Sequence, residues 1–141
     1  MDTSNDIKGT SAAMVAVIDD ERPVLESLAD LLESAGYAVC AFQSAREFLA
    51  SNILPSITCL ICDIRMPGMD GWELQSLVHA RRPNLPVVLI TGHDEPNDRF
   101  ARIQQGRGGA LLLFRKPFDA QQLLVAISAV EGLERQHHDG N

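Results

Sequence analysis

Apolar residues in this chain follow two patterns that alternate from one segment to the next. Five short runs are apolar at nearly every position, and between them apolar residues recur every three or four positions. Continuous apolar runs are typical of strands buried on both faces of a parallel sheet, and the longer spacing is typical of helices. The predicted strands cover residues 14–18, 37–42, 58–62, 86–90 and 110–114.

Helix start and stop signals lie in the segments between these runs. Pro23 suits the first turn of a helix, and Gly36 stands where that helix is expected to end. Ser44 and Glu47 have the spacing of a capping box, which opens a second helix. The predicted helices begin near Pro23, Ser44, Trp72, Asn97 and Asp119, and the last runs through Leu133.

Strand and helix therefore alternate five times, which predicts an α/β fold with a five-stranded parallel sheet. The chain of 141 residues suits a single domain that can bury a core without disulfides or structural metals. Residues 14–134 form this predicted domain. Residues 1–13 are polar and are expected to form a disordered lead, and residues 135–141 are expected to form a flexible tail.

Charge and composition exclude several classes of protein. The net charge of −7 argues against a nucleic-acid-binding surface, because phosphate contacts need a basic face. No apolar stretch approaches the roughly 18 residues of a membrane span, and the N-terminus has no apolar signal core. The odd, low count of three cysteines favours a reducing compartment, so we expect a cytoplasmic protein without membrane contact.

Cys59 and Cys62 form a C-x-x-C pair, a spacing that can bind metal or form a disulfide. Both lie on the third predicted strand, where positions three apart point to opposite faces. The two thiols are therefore not expected to converge, and the pair is not assigned a metal or redox role.

Four of the five predicted strands run into a hydroxyl or a charged side chain. Asp19 and Asp20 follow the first strand, Asp63 the third, Thr91 the fourth and Lys116 the fifth. In open α/β sheets the functional crevice lies outside the carboxyl ends of the strands. Three carboxylates gathered there would repel one another, and a hard divalent cation such as Mg²⁺, which prefers oxygen ligands, would remove that repulsion.

The lysine and the threonine at this edge suit a phosphoryl group. Lys116 offers a compact positive charge to a phosphate oxygen, and Thr91 offers a hydroxyl donor. A carboxylate can itself be the nucleophile and form an aspartyl-phosphate, and Asp63 on the middle strand is the central candidate. Phosphoryl transfer needs mostly positioning and charge neutralisation, which these side chains can supply.

Four stretches at the strand ends carry a resemblance to a known family. They are VIDDE (Val17 to Glu21), CDIRMPGMDG (Cys62 to Gly71), LITGH (Leu89 to His93) and RKPF (Arg115 to Phe118). In this order they resemble a response-regulator receiver domain of the CheY-like superfamily, over about residues 14–134, and are most similar to receivers of the FixJ/NarL kind. The resemblance implies two-component signal transduction and a doubly wound, flavodoxin-like (βα)5 sheet with strand order 2-1-3-4-5.

The resemblance also implies three catalytic residues. Asp63 would accept a phosphoryl group from a sensor histidine kinase or a histidine phosphotransfer protein. Thr91 would contact the phosphoryl group and move on activation, and Lys116 would pair with one of its oxygens. The peptide bond from Lys116 to Pro117 would be cis.

The metal ligands follow from the same resemblance. Mg²⁺ would be held by the side chains of Asp20 and Asp63 and by the backbone carbonyl of Arg65. Asp19 would act on the metal mainly through water.

The implied output is contact with other proteins. Phosphorylation would switch the surface around the predicted fourth helix, the fifth strand and the last helix. The partners would be a downstream protein, a fused output domain or a second copy of the chain that pairs on phosphorylation. The chain would assist its own phosphorylation and dephosphorylation without being a turnover enzyme, and would not bind nucleic acid directly.

The sequence departs from the family pattern near the fifth strand. Where many receivers carry a switch aromatic three positions before the lysine, this chain has Leu113, and Phe114 is one position later. A shift of one residue on a strand faces the other side, so Phe114 is not expected to substitute. The segment before this strand is longer than in the family and contains Gly106 to Gly109, which predicts a mobile or remodelled fourth helix and loop.

Other readings of these residues stay open. Asp19 and Asp20 could cap the following helix, Asp63 could be a turn acid, and Lys116 a solvated lysine. Asp70–Gly71 is interpreted as a turn and helix cap, and Trp72 as a partly exposed anchor. His93 could tune access of water to the phosphate, whereas His137 and His138 are not expected to bind metal.

Three other functions compete with the signalling reading. A phosphatase with an aspartyl-phosphate would need an acid two residues after the nucleophile, where this chain has Arg65. A degenerate domain would make protein contacts without taking phosphate. The chain could also be the N-terminal receiver of a longer transcriptional regulator.

Overall fold

The computed structural model describes residues 13–92, 111–116 and 118–139, with side chains up to Val130 in the last range. Several predictions concern residues outside these ranges. They are the lead up to residue 12, His93, the helix over 97–105, the glycines from 106 to 109, the cis bond at Pro117 and the last two residues of the tail.

Five parallel strands form one sheet in the order β2-β1-β3-β4-β5, as predicted. Each predicted strand is present, shifted by at most one residue at either end. The strands are β1 Met14–Ile18, β2 Ala38–Phe42, β3 Cys59–Asp63, β4 Val87–Thr91 and β5 Leu111–Arg115.

Helices in the described residues connect these strands. They are α1 Arg22–Ser34, α2 Ala45–Ala50, α3 Gly71–Arg81 and α4 Ala120–Asp139, with a 3-10 turn at Leu54–Ser56 before β3. None of the helices in the described part of the chain combines the length and the apolar character that a membrane crossing requires.

The structure shows the predicted start and stop signals at most of the helix ends. Gly36 has a φ of 99°, a left-handed conformation that glycine adopts without steric cost, just after α1 ends. Ser44 accepts a hydrogen bond from the Glu47 amide at 3.0 Å. In a complete capping box the Glu47 carboxylate would accept a hydrogen bond from the amide of Ser44. Here it accepts from the amide of Gln43, one residue earlier, so only half of the predicted capping box is formed.

The last helix is longer than predicted. It continues to Asp139, whereas the apolar pattern predicted an end at Leu133 and a flexible tail from residue 135. The polar residues after Leu133 include Glu, Arg and Gln, which have high helix propensity, and the next glycine is Gly140. The apolar pattern predicts which part of a helix is buried, and it does not fix the residue at which the helix ends.

Helices cover both faces of the sheet, which makes it doubly wound. One face packs Val15 and Val17 of β1 against apolar side chains of α1 and α4. The other face packs Ala16 and Ile18 against those of α2 and α3. Strand residues are therefore buried on both sides, which explains why the runs are continuously apolar.

Alternate residues of each strand pack on opposite faces of the sheet, which tests two predictions about residues of the same strand. Cys59 packs in the core on the α1 and α4 side and Cys62 on the α2 and α3 side. The three cysteines, all within the described residues, form no disulfide. Leu113 and Phe114 also pack on opposite faces. Both outcomes confirm the expectation from strand geometry.

Candidate functional site

Acidic side chains meet at the carboxyl edge of the sheet. Asp19 and Asp20 come directly after β1, and Asp63 is the last residue of the central strand β3. Each of the three carboxylates offers one oxygen that lies within 4.8 Å of the others. The structure therefore brings together the acids that the strand ends predicted.

Asp63 is nearly removed from solvent, with 7% of its surface exposed. Burial raises its pKa from 3.8 to about 6, and the negative charge of Asp19 adds to this effect. The positive charge of Lys116 acts in the opposite direction but does not cancel it. The carboxylate therefore binds a proton more strongly than a solvated aspartate does.

Asp19 is fully buried, and its two oxygens are in different situations. Oδ1 accepts a hydrogen bond from the amide of Glu21, the N-cap residue of α1, at 2.9 Å, so Asp19 does not itself cap the helix. Oδ2 has no hydrogen-bond partner. Its nearest cation is the Lys116 ammonium at 3.8 Å, which is too long for a hydrogen bond. Burial is the main reason that the pKa of Asp19 is raised.

Lys116 lies across the edge from the acids and points towards them. Its Nζ is 3.5 Å from Oδ1 of Asp63 and 3.8 Å from Oδ2 of Asp19. Its amide donates to the carbonyl of Thr91 at 2.8 Å, which holds the start of the loop after β5 against the end of β4. The side chain is 29% exposed, so the reading of a fully solvated lysine is excluded.

Thr91 ends β4 at the same edge, with 1% of its surface exposed. Its hydroxyl donates to the carbonyl of Gly92 at 2.8 Å. The hydroxyl is therefore engaged at its own strand end. Arg65, the predicted carbonyl ligand, lies two residues after Asp63 with an exposed side chain, and its role as a ligand stays a prediction.

Gly71 belongs to the site for a reason that the sequence reasoning missed. Asp70 caps α3 with a complete capping box, as predicted. The amide of Gly71 donates to the Ile64 carbonyl at 2.8 Å, and a Cβ at Gly71 would lie 2.7 Å from the carbonyl oxygen of Asp63. Glycine thus lets the start of α3 approach the backbone of the central acid. The available signal was its position directly after a helix cap and near a functional strand end.

The donor set fits a hard divalent cation. Three carboxylates converge, one of their oxygens is buried without a hydrogen-bond partner, and the single nearby ammonium is too distant to satisfy it. Oxygen ligands of this kind suit Mg²⁺. The cysteine thiols of the described residues are not part of this cluster.

Comparisons with known proteins agree with this geometry. A family model for the response regulator receiver domain matches residues 15–128. The nodulation protein W of Bradyrhizobium diazoefficiens is 33% identical over 94% of this chain and 57% of its own length. The transcriptional regulatory protein FixJ of Azorhizobium caulinodans is 39% identical over 84% of this chain and 54% of its own length.

Solved structures give the same result for the fold. The crystal structure of a CheY-like response regulator receiver domain protein from Methanospirillum hungatei matches with a TM-score of 0.78 and 25% identity. The matched region covers 90% of this chain and 99% of the Methanospirillum hungatei chain. By contrast, this chain spans about half the length of the curated relatives it matches.

Proposed function

Because the chain belongs to the response regulator receiver domain family, as its four strand-end stretches predicted, we propose that it accepts a phosphoryl group on Asp63. The observation that carries this proposal is the position of one buried carboxylate between a lysine and two further acids. Burial of this carboxylate is costly even though the Lys116 ammonium lies 3.5 Å away, and a role in phosphoryl transfer accounts for that cost.

The proposed step is an in-line displacement at phosphorus. An oxygen of Asp63 attacks the phosphorus of a phosphohistidine, the new O–P bond forms as the P–N bond breaks, and the imidazole nitrogen leaves with the bonding electrons. The attacking carboxylate must be ionised. A pKa of about 6 leaves most molecules in that state at neutral pH.

Two side chains would stabilise the transferred group. Lys116, already 3.5 Å from Asp63, would follow one phosphoryl oxygen as charge builds on it. Thr91 would turn its hydroxyl from Gly92 to a second oxygen. Both groups lie at the same strand edge as the nucleophile, which limits the reorganisation required.

We propose Asp20, Asp63 and the carbonyl of Arg65 as the ligands of Mg²⁺, with Asp19 acting through water. Asp19 is fully buried whereas Asp20 is partly exposed, which supports this division. When bound, the cation would neutralise carboxylate charge and the oxygens of the incoming phosphoryl group. The unpartnered oxygen of Asp19 would gain a partner in the hydration shell of that site.

The chain is proposed to be a switch and not a turnover enzyme. Rapid hydrolysis of an aspartyl-phosphate needs a nearby acid and base, and the position two residues after Asp63 holds Arg65. Water would release the phosphate slowly and return the carboxylate of Asp63. Sustained multiple turnover would contradict this part of the proposal.

A sensor histidine kinase or a histidine phosphotransfer protein is the proposed phosphoryl donor. The proposed output surface comprises β5, α4 and the predicted helix over residues 97–105, which lies outside the described residues. This surface would contact a downstream protein, an output domain or a second copy of the chain. Two relatives named transcriptional regulatory protein FixJ match this chain over only 54% and 57% of their own length, which supports an output domain linked to such a receiver. The lack of a disulfide among the three cysteines, all in the described residues, agrees with the proposed cytoplasmic location.

Intact mass measurement after incubation with acetyl phosphate tests the proposal. We expect one phosphoryl group to be added to the wild type in the presence of Mg²⁺, and none after addition of EDTA. Asp63→Asn should abolish the addition because amide nitrogen and oxygen are poor nucleophiles at neutral pH.

Asp70→Asn is the matched control, since it changes an acid of the same loop while keeping a good helix cap. It should be phosphorylated as the wild type is. If the wild type gained no phosphoryl group and did not bind Mg²⁺, the chain would be a phosphate-independent interaction domain.

A further inference from the structure

The carbonyl oxygen of Gly92 accepts hydrogen bonds from two different strands. The hydroxyl of Thr91, at the end of β4, donates to it at 2.8 Å. The guanidinium of Arg115, at the end of β5, donates to it through Nη1 at 3.4 Å. Thr91 and Arg115 are also direct neighbours in the register of the two parallel strands. These two side chains are therefore coupled through one acceptor.

This shared acceptor matters because the Thr91 hydroxyl has a single proton to donate. In the proposed phosphorylated state that proton is directed to a phosphoryl oxygen, and the bond to Gly92 is lost. Gly92 is partly buried, so water reaches this residue only in part. An acceptor left without a donor in such a place opposes the movement of the hydroxyl.

We propose that Arg115 is a positioning residue for Thr91: it keeps the Gly92 carbonyl hydrogen-bonded when the hydroxyl turns to the phosphoryl group. This inference rests on the proposed acceptance of phosphate at Asp63. A guanidinium carries five N–H donors, and its bonds are charge-assisted. The present distance of 3.4 Å leaves room for the bond to shorten once the hydroxyl has left.

The other described side chains near the end of β5 make different contacts, so this role falls to Arg115. Lys116 faces Asp19 and Asp63. Leu113, at the position of the family's switch aromatic, packs into the core on the α2 and α3 side and has no polar group. Phe114 packs on the opposite face, in an edge-to-face contact with Phe118. A cation on the strand end thus links Thr91 to β5 in a chain that lacks the usual aromatic.

A double-mutant cycle on the unphosphorylated protein tests the shared acceptor directly. Thr91→Val removes the hydroxyl with little change in shape, and Arg115→Met removes the guanidinium while keeping a long side chain. We expect Thr91→Val to lower the urea midpoint more in the Arg115→Met background than in the wild type, because only there does Gly92 lose both donors. Equal decreases in the two backgrounds would overturn the inference.

Beryllofluoride with Mg²⁺ then tests the link to the phosphoryl site. We expect Arg115→Met to weaken its binding by about threefold, a modest change because Arg115 is exposed and water competes for the carbonyl. In the Thr91→Val background the same change should have no effect. Arg115→Lys retains a donor and should recover most of the affinity, and Arg46→Met removes an exposed arginine of α2 as the charge-matched control.

The outcomes separate the two proposals. If the wild type binds beryllofluoride but Arg115→Met weakens it equally with and without the Thr91 hydroxyl, or not at all, the role of Arg115 is wrong and phosphate acceptance stands. If the wild type binds no beryllofluoride and gains no phosphoryl group, the proposed function itself fails, whatever the unfolding cycle shows.

Discussion

A raised proton affinity at Asp63 links the proposed chemistry to the stability of the fold. The folded protein holds this proton between pH 3.8 and about 6, a range in which the unfolded chain has already released it. Stability should therefore fall as the pH rises through this range. A shift of this size corresponds to at most about 3 kcal/mol of unfolding free energy.

Asp63→Asn should therefore stabilise the metal-free protein at pH 8. The amide cannot ionise, so it avoids the cost of a buried charge next to Asp19, although it also loses the attraction of Lys116. We expect the free energy of unfolding to rise by about 1–3 kcal/mol at pH 8 and to change little at pH 4. Urea unfolding in EDTA at the two pH values measures this difference.

Asp30→Asn is the control for that measurement, because it removes a carboxylate from the exposed side of α1. It should change stability by a few tenths of a kcal/mol at either pH. A destabilised Asp63→Asn at pH 8 would mean that the pair with Lys116 outweighs the cost of burial.

At the scale of elements, α3 and β3 are joined at the point where the chemistry is proposed. The amide of Gly71 bonds to the Ile64 carbonyl, and its Cα side faces the Asp63 backbone with no space for a methyl group. The helix start thereby fixes the loop that follows Asp63, the proposed nucleophile.

Gly71→Ala should destabilise the protein although alanine is the better helix former. In an open helix position the change would stabilise by about 1 kcal/mol. Here the new Cβ would lie 2.7 Å from the Asp63 oxygen and 2.8 Å from the Ile64 Cα, both backbone atoms. We expect a net loss of about 1–3 kcal/mol in urea unfolding, together with slower phosphoryl addition.

Ser76→Ala serves as the comparison, since Ser76 is exposed in the middle of the same helix. That change should be neutral or slightly stabilising. If Gly71→Ala behaved in the same way, the close approach of α3 to β3 would not constrain the site.

At the scale of the whole molecule, the site exists only when the sheet is formed. Its carboxylates come from the ends of β1 and β3, and its lysine follows β5, so residues distant in sequence meet through the strand order. A ligand that needs all of them binds the folded state alone and stabilises it.

Mg²⁺ should therefore raise the stability of the folded protein. At a concentration one hundred times its dissociation constant, we expect an increase of about 2.7 kcal/mol in the free energy of unfolding. Asp20→Asn should remove most of this increase because it deletes a proposed ligand, whereas Asp30→Asn should keep it. An equal effect of Mg²⁺ on wild type and Asp20→Asn would indicate general screening of the acidic chain and not a site.

The sequence by itself determined the order of the described elements and which polar side chains stand at the strand ends. Runs such as 14–18 are apolar at every position because both of their faces are buried, and that local pattern can be read without coordinates. Because side chains alternate between the two faces of a strand, the sequence also placed Cys59 and Cys62 on opposite faces. Because parallel strands end at one edge, their terminal acids and lysine were expected to meet.

Only the tertiary structure decided the quantities that depend on burial and on distance through space. The unpartnered oxygen of Asp19 and the raised pKa of Asp63 arise from how deeply the packed helices and strands enclose these residues. Two contacts join elements that no local sequence pattern relates to each other. One is the approach of Gly71 to Asp63, and the other is the Gly92 carbonyl that Thr91 and Arg115 share. A local sequence pattern predicts which residues are buried. The contacts of each buried group depend on segments that are distant in sequence and meet only in the folded chain.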